Sequence, residues 1–201
     1  MTTMLRKVTA ALFFLAATRV LIGQTMVVES AEVLCPSVLG IGISTDVVFC
    51  DVLIQQEPGL GTIVMLPVHR GDMVLSFNLH NRHTYSEDEV RAGRAFSAYT
   101  AEVAVATKEG VVLARRFIQS EFRSSDDLVD RVVGGAGVQG VKAIAPTGTE
   151  RVFVSVPAEL DEVVVVGQSL GVVRLESRDD FRTMGQPVAV ISDVQVEYQP
   201  R

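Results

Sequence analysis

His69, His80 and His83 are the only histidines in the chain, and the last two sit together in Leu79-His80-Asn81-Arg82-His83. Imidazole titrates near neutral pH and ligates metal in its neutral form, so such a pair is the first place to look for a general base or a metal site. Spacing decides what the pair can do. On a helix, positions i and i+3 share a face; on a strand they point to opposite faces. The residues leading into this pair alternate as a strand does, and no third ligand stands at a fixed spacing from it. A metal at His80 and His83 is therefore disfavoured, and polar residues near a strand end are the plainer reading. No metal and no cofactor are expected.

Arg115 and Arg116 pose a different problem. They are adjacent in an alternating segment, so their side chains leave the sheet on opposite sides. One guanidinium must then start toward the covered face, where it needs a carboxylate or a route to water. Structural pairing is the simpler outcome, and a groove for an acidic ligand is the functional one. His80, His83, Arg115 and Arg116 are thus the polar site candidates.

Other motifs carry less. Gly135 to Gly140 reads formally as G-x-G-x-x-G, but Pro146 and Gly148 follow too soon for the helix that would hold a pyrophosphate. Arg70-Gly71-Asp72 spells a tripeptide found on receptor-binding loops, and here it reads as the turn that opens a strand. The acids Asp126, Asp127, Asp130, Asp179 and Asp180 lack the alternating ligands and the glycine of a calcium loop. There is no G-x-S-x-G elbow, and no serine is singled out as a nucleophile. No catalytic residue is assigned.

The elements that must position these residues read as sheet. Val is abundant, Trp is absent and aromatics are 6% of the chain, a composition suited to pleated surfaces. The cleanest alternation is Asp72–His80, with Met73, Leu75, Phe77 and Leu79 on one face. A hairpin follows over Ala98–Phe122, turning at Lys108-Glu109-Gly110, and is expected to be the central pair. Further strands are expected at Asp46–Ile54, Thr62–Val68, Val141–Ala145, Arg151–Val156, Glu162–Val166, Gly171–Leu175 and Val188–Tyr198. Short helices are expected in Thr84–Arg94, where Ser86 and Glu89 have capping-box form, and in Ser124–Val133. This pattern predicts a mainly β fold, an antiparallel two-sheet sandwich (immunoglobulin-like or related) with one or two short helices.

The amino terminus has the form of an export signal. Arg6 and Lys7 precede an apolar run, Val8–Ala17, that Arg19 ends well short of the ~20 residues a membrane span needs. The domain division is a signal helix over residues 1–30, cleaved near 23 or 30, followed by a single domain over 31–201. No later stretch is apolar and long enough to span a bilayer as a helix. Removing Arg6, Lys7, Arg19 and Glu29 takes the net charge from −6 to −8. An acidic domain is repelled by nucleic acid and by anionic membrane surfaces. Cys35 and Cys50, an even pair in an exported chain, are expected to form a disulfide.

These readings converge on an exported, non-catalytic β-sandwich module of the periplasm, cell envelope or exterior. It would bind a protein or small ligand or play a structural part, and pairing of sheet edges would allow homo-oligomers. The alternative is a secreted hydrolase or metal-dependent enzyme that uses His80, His83 and nearby acids.

Overall fold

The computed structural model describes residues 25–133 and 142–201. The expected signal helix and the glycine-rich stretch at 134–140 lie outside the described residues.

The longest strand, β6 (His69–Ser86), organises the fold. Its odd-numbered residues Met73, Leu75, Phe77 and Leu79 are fully buried, as alternation requires when one face is covered. Burying each such side chain is worth about 1.5–3 kcal/mol relative to leaving it in water. β6 lies between β10 (Lys142–Val156) and β13 (Pro187–Pro200). The same sheet continues through β4 (Val48–Leu53) and β3 (Val38–Gly42) to the short β9 (Val132–Val133), and β1 (Val27–Ser30) also pairs with β13. Cleavage after Ser30 would detach β1; cleavage near residue 23 would leave it in place.

The second sheet runs in the order β2 (Glu32–Leu34), β5 (Thr62–Met65), β11 (Glu162–Arg174), β7 (Ser97–Ala106), β8 (Val112–Phe122), with β12 (Arg178–Phe181) also paired to β11. All of these strand pairings are antiparallel. Val103 and Val105 of β7 and Val163 and Val165 of β11 meet the inner row of β6 in one hydrophobic core. The protein is a β-sandwich, as its strand periodicity predicts. The crossover from β2 to β3 is tied to β4 by a Cys35–Cys50 disulfide, with Cα atoms 5.9 Å apart.

Several sequence expectations are corrected. Of the expected strand Val141–Ala145, the described part, Lys142–Ala145, forms one strand, β10, with Arg151–Val156, and Glu162–Val166 and Gly171–Leu175 fall largely in another, β11. The intervening glycines make register shifts inside strands where turns were expected. Gly148 shows why: its φ is +68°, and an added Cβ would come within 2.7 Å of the Ser120 Cβ. Both the left-handed backbone and the close approach require glycine there. The hairpin of β7 and β8 forms, with Gly110 at φ +89° in its turn, but only β7 is interior; β8 is the edge of its sheet. Arg70-Gly71-Asp72 lies inside β6 and does not precede it.

The helices are shorter than their sequence signals. α1 spans Glu87–Arg91, and the Ser86 side chain makes no capping hydrogen bond. Ser124 does cap, reciprocally with Asp127, but the turn it starts is a single 3-10 turn over Ser125–Asp127. No helix among the described residues is long and apolar enough to cross a membrane.

Candidate functional site

The two sheets part at one end of the sandwich and leave a cleft of about 600 Å³. The last third of β6 forms one wall, with Arg82, His83 and Thr84. The start of β7 contributes Ser97 and Tyr99, the end of β11 contributes Leu170, Val172 and Arg174, and β12 adds Phe181. Alternation puts the two on opposite faces of β6: His83 is turned inward and buried, while Arg82 is on the outer face that His80 also occupies.

His83 sits at the inner side of this cleft, 3% exposed, its ring stacked on Phe122 with centroids 3.7 Å apart. Its Nδ1 is hydrogen-bonded to the Tyr99 hydroxyl. Its Nε2 is buried without a hydrogen-bond partner among the described residues. Burial lowers the imidazole pKa to about 4, helped by the nearby Arg174 charge and opposed by Asp127. The ring is therefore neutral at neutral pH. Burial also pushes the Tyr99 phenol above its ordinary value, against a hydrogen bond from Ser97 and the charge of Arg174. The phenol consequently keeps its proton. When Tyr99 donates to Nδ1, Nε2 carries a proton that no acceptor takes.

Three arginines line the opening, and each already has a carboxylate. Arg82 Nε donates to Asp51 Oδ1 at 2.8 Å, with the Asp51 side chain almost wholly buried. Arg94 donates through Nε and Nη2 to the two Glu89 oxygens, each at 3.1 Å. Arg174 pairs with Asp179. The arginines are not saturated: Arg82 uses only Nε, and its two terminal amino groups have no hydrogen-bond partner among the described residues. A guanidinium carries five N–H donors, and a terminal pair of them matches a carboxylate.

His80 is elsewhere. It lies on the opposite face of β6 from His83 and is 1% exposed. Its Nδ1 is 2.6 Å from the Gly148 main-chain oxygen and its Nε2 is 2.8 Å from Ser192 Oγ. A carbonyl can only accept, so Nδ1 carries the proton and Nε2 accepts from the serine hydroxyl. This is the order of groups in a serine nucleophile relay, with a main-chain carbonyl in place of the acid. Ser192 is only 4% exposed, neither residue lines the cleft, and the Phe49 ring packs edge-on against His80 at 5.6 Å. Burial lowers the His80 pKa, against the hydrogen bond to Gly148. The group is a satisfied polar plug in the outer layer of the sheet. The two histidines thus do not form one site. Among the described residues, no three His, Cys, Asp or Glu side chains are grouped so as to hold a metal ion.

Arg115 and Arg116 also separate as alternation requires, but neither guanidinium is buried in the core. Arg115 Nη1 pairs with Glu102 at 2.9 Å on the outer surface. Arg116 starts inward and escapes at the seam between the sheets, where it donates to the Arg115 and Phe153 main-chain oxygens at 2.8 and 2.7 Å. Neither lines the cleft.

Of the four sequence candidates, only His83 belongs to the cleft. Arg82, Ser97, Tyr99 and Arg174 were not legible as site residues, because strands distant in sequence bring them together. Arg82, lying between the two histidines, carried the one local signal.

No protein-family model matches the chain, and no curated protein matches it. Among solved structures it is similar to a cleaved adhesin domain of Lys-gingipain from Porphyromonas gingivalis, at 12% identity over 88% of this chain and 99% of that one, with a TM-score of 0.35. It is also similar to a subviral particle protein of infectious bursal disease virus, at 13% identity over 88% of this chain and 42% of that one, with a TM-score of 0.19.

Proposed function

We propose that this chain is an exported, non-catalytic binding module that takes its ligand in the cleft at the open end of the sandwich. One observation carries the reading: the parted sheets leave a cleft of about 600 Å³ in which Ser97, Tyr99 and Arg174 stand beside apolar Leu170, Val172 and Phe181. The volume falls in the range of small-molecule sites, about 300–1,000 Å³, and the lining mixes apolar walls with a few convergent polar groups.

The test is a thermal-shift screen with chemically varied small molecules, run on the wild-type chain and on Thr84→Trp. Thr84 is exposed at the cleft wall, so tryptophan there blocks the opening without entering the core. Ligands that raise the wild-type melting temperature but not that of the variant support the reading. Equal shifts in both proteins place binding elsewhere and overturn it.

Export is supported by the disulfide and by the form of the amino-terminal segment, since disulfides persist in oxidising compartments. Cell fractionation followed by non-reducing mass analysis should find the protein outside the cytoplasm, oxidised and beginning ahead of β1. A full-length cytoplasmic protein with two free thiols would contradict it.

A further inference from the structure

We propose that the cleft takes a neutral sugar ring, held through two adjacent hydroxyls at the Arg174–Asp179 pair; this rests on the cleft being the binding site. Strand register brings the groups onto one surface. In β11, Leu170, Val172 and Arg174 alternate onto the same face, and Leu170 and Val172 belong to the hydrophobic core, so that face is the inner one. On one side of β11 lies β12, with Phe181 opposite Leu170 and Asp179 opposite Val172. On the other lies β7, with Ser97 opposite Arg174 and Tyr99 opposite Val172. Directly opposed residues of an antiparallel pair project to the same side. Arg174, Asp179 and Phe181 therefore stand together on the cleft side of their sheet.

Access and hydrogen bonding then select the ligand. The Arg174 and Asp179 side chains are 45% and 44% exposed, so a ligand can reach both. Arg174 donates through Nη1 to Asp179 Oδ2; its Nε and Nη2, and Asp179 Oδ1, have no hydrogen-bond partner among the described residues. N–H donors and a carboxylate acceptor are thus offered side by side. A carboxylate ligand would be repelled by Asp179, and an ammonium by Arg174. A hydroxyl both accepts and donates, and two neighbouring hydroxyls can engage the guanidinium and the carboxylate at once. The other guanidiniums of the cleft, Arg82 and Arg94, are matched by Asp51 and Glu89, so no surplus charge calls for an ion. The wall beside the pair is apolar, with Leu170, Val172 and Phe181, and suits the C–H face of a pyranose.

The experiment is an amide NMR titration of the isotope-labelled chain with the methyl glycosides of glucose, galactose and mannose. Tetrahydropyran-2-methanol, which keeps the ring and lacks the adjacent hydroxyls, is run beside them, as are hexanoate and hexylamine. At least one glycoside should saturate, with shifts at Arg174, Asp179 and Phe181, and should bind about tenfold or more tighter than tetrahydropyran-2-methanol. Asp179→Ala removes the acceptor and unmasks the guanidinium. It should weaken that glycoside about tenfold and strengthen hexanoate, with little change in melting temperature because the pair is half exposed. Thr84→Trp should abolish glycoside binding. The inference is overturned if no glycoside saturates, or if the one that does is matched by tetrahydropyran-2-methanol or unaffected by Asp179→Ala. If another probe then binds in a manner that Thr84→Trp blocks, the cleft remains a binding site and only the sugar assignment falls. Binding of every probe unaltered by Thr84→Trp removes both.

Discussion

Arg116 Nη2 donates to the main-chain oxygen of Phe153 at 2.7 Å, joining the edge strand β8 of one sheet to the edge strand β10 of the other. The contact answers where a guanidinium goes when strand alternation aims it at a covered face: along the seam, to carbonyls beside solvent. Arg115, its neighbour, makes an exposed pair with Glu102, a kind of contact worth about 0–1 kcal/mol. Arg116→Ala should therefore destabilise the fold by about 1 kcal/mol, and Arg115→Ala by a few tenths. Urea denaturation of the two variants checks the order; equal losses would mean that the seam contact adds nothing.

The low pKa of His83 makes stability depend on pH in a defined window. Its folded value of about 4 lies below the ordinary 6.5, so between those values the unfolded chain holds more protons. The contribution is fully present above pH 6.5 and is lost as pH falls toward 4, amounting to about 3 kcal/mol. His80, shifted in the same direction by burial, adds to the same slope. Denaturation midpoints between pH 7 and pH 4.5 should fall in the wild type and fall less in His83→Phe. An identical slope in the variant would show that His83 is not the titrating group.

Tyr99→Phe removes the one hydrogen-bond partner of the His83 ring among the described residues and leaves both nitrogens of a buried imidazole unsatisfied. A loss of about 1–3 kcal/mol is expected, and the double variant with His83→Phe should lose less than the sum of the two single changes. Additive losses would mean the two side chains do not interact.

Phe77 is fully buried at the centre of the inner row of β6. Phe77→Ala should cost about 3–5 kcal/mol, read from the chemical denaturation midpoint. Reducing the Cys35–Cys50 bridge, which closes a loop with a sequence separation of 15, should cost about 3 kcal/mol on the chain-entropy model. A variant that melts with the wild type would reverse the assignment of the strand faces; a reduced protein that does so would make the bridge energetically idle.

The sandwich was legible because period-two burial writes itself into sequence: Met73, Leu75, Phe77 and Leu79 announce their face without any long-range information. The bridge was legible for a similar reason, since two cysteines admit one pairing. The long strands β10 and β11 were not, because Gly148 and Gly167 look like turn residues and act as irregularities inside a ladder. The cleft was legible only at His83. Arg174 reaches it from the end of β11 and Ser97 from the start of β7. Those facts belong to the packing of strands far apart in the chain, as does the pairing of Arg82 with Asp51, and periodicity does not encode them.

An exposed apolar strip offers a competing location. Ile41 stands opposite Val48 on one side and Val133 on the other, and all three side chains are exposed. The measurement that tests the account most directly is amide chemical-shift mapping of a small molecule that stabilises the protein. The account predicts perturbations centred on Arg82, His83, Thr84, Ser97 and Arg174, with Ile41, Val48 and Val133 silent. Perturbations centred on Ile41, Val48 and Val133, with the cleft silent, would contradict it.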